Sequence, residues 1–238
     1  MGFGAVNVNS LLAIGSYQTT AANVLAYILL ANLPQTNLSL LYLMYNSLYT
    51  CMLQADEWSH YAHSRKALRV TSPVGKQRST YYLTLPYTYA IPLLFFSGLM
   101  HWLVSQSIFL ARITVYTLDG VEDTKNSIAT CGYSSIAIIF VLIVGGTMLL
   151  ISLATGFRRF KPGIPLASSC SAAISAACHA PRDDGDAAVL PVMWGVVKEE
   201  VNGVGHCSFT SDEVVSPVKT RLYAGNVESL AIFDRSSL

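Results

Sequence analysis

Three long stretches of this chain carry no formal charge: residues 1–55, 79–111 and 126–157. Lipid cannot hydrogen-bond a backbone, so a segment inside it must satisfy its own N–H and C=O groups. An α-helix does so with about 20 mostly apolar residues. Charged residues make up 12% of the 238, about half the roughly 25% typical of soluble domains. The pattern predicts an integral membrane protein whose first partner is the lipid bilayer. A net charge of +1 gives no support for a nucleic-acid partner, which would show as a basic surface.

Four spans are predicted. Ser134–Ala154 (SSIAIIFVLIVGGTMLLISLA) and Tyr89–Ala111 (YAIPLLFFSGLMHWLVSQSIFLA) are each one crossing long. The first charge-free stretch is too long for one crossing, and Asn32-Leu33-Pro34 interrupts it. A residue before proline is pushed out of the α region. The expectation is therefore a helical hairpin, with spans at about Leu11–Ala31 and Ser39–Ala55. Arg65, Lys66, Arg69, Lys76 and Arg78 lie in the loop 56–86, and Arg158, Arg159 and Lys161 follow the last span. Basic residues near span ends mark the cytosolic side, which assigns that loop and the C-terminal tail to the cytosol. No basic segment precedes the first span, so no cleaved signal peptide is expected.

The overall expectation is an all-α membrane domain, residues 1–156, followed by a small cytosolic α+β domain, residues 157–238. In the tail, Leu166–Cys178 reads as a short helix. Val192–Val197, Gly205–Thr210 and Thr220–Tyr223 read as strands of a β-meander, with Asn202-Gly203 as a hairpin turn. Gly145-Gly146 marks a close helix contact or a flexible point in the last span.

Candidate functional positions fall into three sets. Within the spans, Asn23, Asn46, His101, Ser105 and Gln106 belong to polar stripes at helical spacing. The plainer reading is interhelical packing, since hydrogen bonds hold helices together in lipid. The sharper reading is a transport path lined by Asn23, Asn46, His101 and Gln106, because an intramembrane ionisable residue is a functional candidate by default. In the loop, Asp56, His60 and His63 share a helical face, with Glu57 three residues before His60. Two ligands are too few for a metal, and the alternative puts Trp58 and Tyr61 at headgroup level. In the tail, Cys170, Cys178, His179, His206 and Cys207 have the ligand chemistry of zinc without a standard ligand spacing. No cofactor is expected from them, zinc being the alternative, and no disulfide is expected in a reducing compartment. Cys170 or Cys178 could carry an acyl chain if near the bilayer.

No GxxxxGK[ST], GxSxG, HExxH, CxxC or HxxxH motif occurs, so no catalytic residue is assigned. Arg69–Tyr89, His101–Ile113, Ser168–Pro181 and Gly205–Pro217 together resemble a family of fungal multi-pass membrane proteins of unknown function. The resemblance implies that this chain corresponds to a C-terminal portion or a shortened form of longer members. It implies location rather than activity, and His60 and His63 fall outside the family's pattern. The reading preferred on sequence is a non-enzymatic membrane scaffold or assembly component that packs against other spans or subunits. A transporter or channel is the alternative, and a metal-binding or enzymatic tail the third.

Overall fold

Helix α1 runs without a break from Ala21 to His60, straight through the position where the sequence predicts a hairpin turn. The computed structural model describes residues 11–12, 21–123, 126–167, 169–179, 181, 183–201 and 204–224. Most of the first predicted span, together with Asn202-Gly203, lies outside them. Pro34 is accommodated inside α1, and the polar residues around it bond to the helix's own carbonyls. Asn32 Nδ2 donates to the Ile28 carbonyl at 2.8 Å and Ser39 Oγ to the Gln35 carbonyl at 3.2 Å. The bond that Pro34 cannot donate is the one to the Leu30 carbonyl, and membrane helices carry internal prolines more often than soluble ones do. Forty residues extend about 60 Å, twice the roughly 30 Å of hydrocarbon. The two expected spans are one helix longer than a bilayer is thick.

Among the described residues three helices are therefore long and apolar enough to cross a membrane: Ala22–His60 within α1, α2 (Tyr87–Ser107) and α3 (Ser135–Gly156). The chain is mixed α/β rather than all-α. It divides into two units, Met1–Ser47 with Pro86–Arg158 and Leu48–Leu85 with Arg159–Leu238, and α1 contributes to both.

In the first unit the usual burial pattern is inverted. Leu25, Leu29, Leu33, Leu40, Leu43 and Met44 of α1 are all more than half exposed. Asn23, Tyr27, Gln35, Tyr42, Tyr45 and Asn46 turn inward at helical spacing. Leu142, Ile143, Leu149, Leu150 and Leu153 of α3 likewise face outward. Water would reject this arrangement, whereas lipid favours it. Helices α2 and α3 pack closely, and a Cβ built on Gly145 would sit 3.3 Å from Met100 Cε, while one on Gly146 would meet nothing within 4 Å. The predicted contact is thus at Gly145 alone.

The third expected span is shorter than predicted. Helix α2 ends at Ser107, and Ile108–Ala111 open strand β4 (Ile108–Ile113), antiparallel to β5 (Ile128–Tyr133). Ile, Phe and Leu in this strand extend the hydropathy of the helix, so an apolar run alone does not mark the boundary. Strand β1 (Leu11–Leu12) joins the other edge of β5, pairing Leu11 with Gly132 and Leu12 with Cys131. Beyond β4, the turn Thr117–Gly120 closes through a 2.9 Å backbone bond, with Gly120 at φ 77°, a conformation that favours glycine.

The second unit has an ordinary water-soluble core. Tyr61, Ala62, Ile164, Val192, Trp194 and Cys207 are buried together. Trp58 and Tyr61 pack edge-on against Phe209, with ring centroids 5.1 and 5.2 Å away, so they serve this core rather than a headgroup layer. The basic loop folds with the tail: Lys66 and Val192 exchange backbone bonds of 2.9 and 3.0 Å, and the Trp194 N–H reaches the Tyr61 carbonyl at 2.9 Å. The sequence-based boundary at residue 156 had separated these partners. A short parallel pair, β2 (Arg69–Val70) and β3 (Arg78–Ser79), lies in the loop.

In the tail, α4 covers only Ser171–Ala177. Strands β6 (Met193–Val201) and β7 (Val204–Thr210) form the expected hairpin, but β8 (Leu222–Ala224) runs parallel to β7. The sheet is therefore not a meander. After β7 the chain crosses to the far edge of β6, where Val215 bridges Val196, before it returns. That crossing presses on Gly195: an added Cβ would lie 2.8 Å from the Val215 carbonyl oxygen and 2.9 Å from Val214 Cβ. Gly195→Ala is expected to destabilise the second unit by about 1–3 kcal/mol. Gly185→Ala, where a Cβ meets nothing within 4 Å, should not. Thermal unfolding followed by tryptophan fluorescence in detergent micelles checks both.

Candidate functional site

His101, the ionisable residue of α2, is held by Gln35 of α1. The Gln35 amide nitrogen donates to the His101 carbonyl at 3.0 Å, and its oxygen lies 2.6 Å from His101 Nδ1. A backbone carbonyl only accepts, so the amide must present its nitrogen there. Its oxygen then faces Nδ1, which must carry the proton. One side chain thus satisfies two groups of the neighbouring helix and fixes the imidazole tautomer.

The other intramembrane candidates do not join this pair. Ser105 is exposed and donates to the Trp102 carbonyl at 2.6 Å, and Gln106 donates to Ser105 Oγ at 3.4 Å. Asn23 and Asn46 lie on the inward face of α1, and neither lacks a partner. They are 23 residues apart, about 35 Å along a helix, more than the hydrocarbon thickness. An apolar cavity of about 80 Å³ between these helices is lined by Leu38, Tyr42, Tyr45, Leu93, Ser97 and Met100 among others, and His101 is not on its wall. Sequence reasoning missed Gln35 because it follows Pro34, which was read as a turn. Once α1 is continuous, Gln35 falls one face-repeat before Tyr42 and two before Tyr49.

The tail cysteines and histidines are near one another without forming a ligand cluster. His206 Nε2 lies 3.0 Å from the His179 carbonyl, so that nitrogen carries the proton. The two rings are 6.4 Å apart. Cys207 is buried, and loss of solvent pushes its thiol up to about 11; burial also raises Cys178. Both changes oppose the thiolate that zinc requires. Cys170 is exposed at the start of α4. Among the described residues no three His, Cys, Asp or Glu side chains are grouped to hold a metal. In the loop, His60 Nδ1 is 2.7 Å from the Asp56 carbonyl and His63 Nε2 is 2.6 Å from the Pro162 carbonyl. Glu57 instead pairs with Arg69 at 3.2 Å.

The second unit also carries a cavity of about 870 Å³ that is open to its surface, within the size range of small-molecule sites. The end of α1, from Cys51 to Trp58, forms one wall. Leu68 and Arg69 come from the loop, and Leu166, Ala187, Val192 and Phe209 from the tail. The ion pair of Glu57 and Arg69 lies on this wall, and the Arg69 guanidinium also stacks 4.3 Å from the Tyr81 ring centroid. Asp184, on the same wall, accepts bonds from the Thr210 and Ser211 hydroxyls and, at 2.7 Å, from the Ser211 N–H. Burial alone would raise its carboxyl, but these bonds together outweigh that and hold it below its ordinary 3.8.

These features define a class: a protein with three helices, among the described residues, long and apolar enough to cross a membrane, carrying a small α/β unit with an open cavity. Within that class the chain belongs to the family described as Domain of unknown function (DUF8419), whose profile matches residues 1–223. No curated protein and no solved structure matches it.

The Asp184 bonds give a signed pH expectation. A carboxyl whose folded value is lowered stabilises the fold above its ordinary 3.8, and this stability is lost as pH falls through the folded value. Asp184→Asn should lower the stability of the second unit at pH 7 and flatten its pH dependence below 3.8. Urea unfolding monitored by tryptophan emission between pH 2.5 and 7 measures this.

Proposed function

We propose that this protein is a non-enzymatic component of a membrane, a scaffold or assembly subunit whose intramembrane polar groups hold helices together. The observation that carries the reading is the two-point bond between Gln35 and His101. A group lining a transport path must exchange partners with water or substrate, whereas His101 Nδ1 is committed to a glutamine. The small apolar cavity between the helices supports the same view. The resemblance to fungal multi-pass membrane proteins fits it too, supplying a location and no reaction.

In this reading the chain crosses the bilayer three times. Strand β1 pairs with β5, so Leu11 and the β4–β5 hairpin share one side. Lys66 pairs with Val192, so the loop and tail share the other. A single crossing by α1 and one each by α2 and α3 satisfy both pairings. A hairpin in the first 55 residues would place Leu11 opposite its partner strand. The basic residues of the loop and of 158–161 make the loop-and-tail side cytosolic.

Interhelical hydrogen bonds in membranes contribute about 0.6 to 2 kcal/mol. Gln35→Leu and His101→Ala should each lower the melting temperature by several degrees. Proton and potassium flux into proteoliposomes carrying either variant should equal that of empty vesicles, as should flux with the unaltered chain. Flux above the empty-vesicle level that falls in His101→Ala, with melting unchanged, would replace this reading with transport.

A further inference from the structure

We infer that the cavity in the second unit is a binding site for an uncharged amphiphile, an apolar body bearing a hydroxyl-class head, as in a sterol or a monoacylglycerol. Its size and walls set the first half of the description. About 870 Å³ bounded by Trp58, Leu68, Leu166, Val192 and Phe209 suits an apolar body larger than any water cluster, and a polar solute would leave its own groups unpaired against these walls.

The charges on the wall set the second half. Glu57 is spent on Arg69, which also stacks on Tyr81. Asp184 is spent on Thr210 and Ser211. The carboxylates on the wall are thus held by protein donors, and the guanidinium shares its Nε with Glu57. With two carboxylates against one guanidinium, an anionic head would meet net repulsion, which favours an uncharged head over a fatty acid or a phosphatidate. Gln54, Ser169 and the Cys178 thiol also border the cavity and match a neutral hydroxyl. A source of such ligands is at hand, because the wall from Cys51 to Trp58 continues the helix that we read as crossing the bilayer.

The inference uses the membrane reading only for the route of entry, and the test separates the two. The full chain in phosphatidylcholine nanodiscs is irradiated with a diazirine sterol or, separately, a diazirine monoacylglycerol, and the labelled residues are mapped by mass spectrometry. Saturable labelling within 51–58, 166–169 or 184–192 by either probe is expected, and the probe that saturates identifies the source. Ala188→Trp places a large ring on an exposed cavity residue and should cut that labelling at least five-fold. Labelling of 142–153 on α3 should stay constant and reports embedding in the bilayer independently. Label confined to α3 with both probes overturns the site, and the unaltered chain alone shows this even if Ala188→Trp folds poorly. Displacement of the cavity label by oleate as readily as by unlabelled monooleoylglycerol overturns the neutral ligand class.

Discussion

A polar side chain surrounded by hydrocarbon must find its partner in the protein, and the first unit is built around that requirement. Leucines and isoleucines of α1 and α3 point away from neighbouring helices, while tyrosines, asparagines and Gln35 point toward them. In the membrane reading proposed here, where lipid supplies no hydrophobic drive between helices, contacts such as Gln35 with His101 and the close approach at Gly145 would hold the bundle. The missing N–H of Pro34 costs one backbone bond, to the Leu30 carbonyl, and α1 nonetheless continues through it as one very long helix.

The second unit obeys the opposite rule. Aromatic and aliphatic side chains collapse inward around Trp194, Tyr61 and Val192, and its polar bonds reach mostly to backbone carbonyls. Arg65 donates to the Ser211 and Asp212 carbonyls, Trp58 Nε1 to that of Pro165 at 3.0 Å, and Ser208 to that of Ala177 at 3.1 Å. The bonds of Arg65 and Trp58 tie the loop and the end of α1 to a tail more than 100 residues away in sequence, and that of Ser208 closes the tail on itself.

What the sequence revealed depended on the range of the physics involved. Hydropathy acts residue by residue, so Ser134–Ala154 was placed almost to the residue of α3. The alternation and the Asn-Gly pair likewise anticipated the β6–β7 hairpin. Interactions between distant segments were not legible. Pro34 reads as a breaker, yet α1 continues through it. Ile108–Ala111 reads as membrane helix until β5 supplies a strand partner. Trp58 and Tyr61 read as headgroup anchors until Phe209 arrives from 150 residues away. His101 was found because titratable residues are rare in spans, whereas Gln35, neutral and beside a proline, carried no comparable mark.

The central claim is that α1 crosses once, so that Leu11 and Leu118 lie on the side opposite Val74 and Val215. Single cysteines at these four positions, in a variant lacking the native cysteines, can be probed with a membrane-impermeant maleimide in sealed vesicles of one orientation. The account predicts that Leu11→Cys and Leu118→Cys react from one face, and Val74→Cys and Val215→Cys only after permeabilisation, or the reverse. Leu11→Cys reacting together with Val74→Cys would restore the helical hairpin and contradict the proposed three crossings.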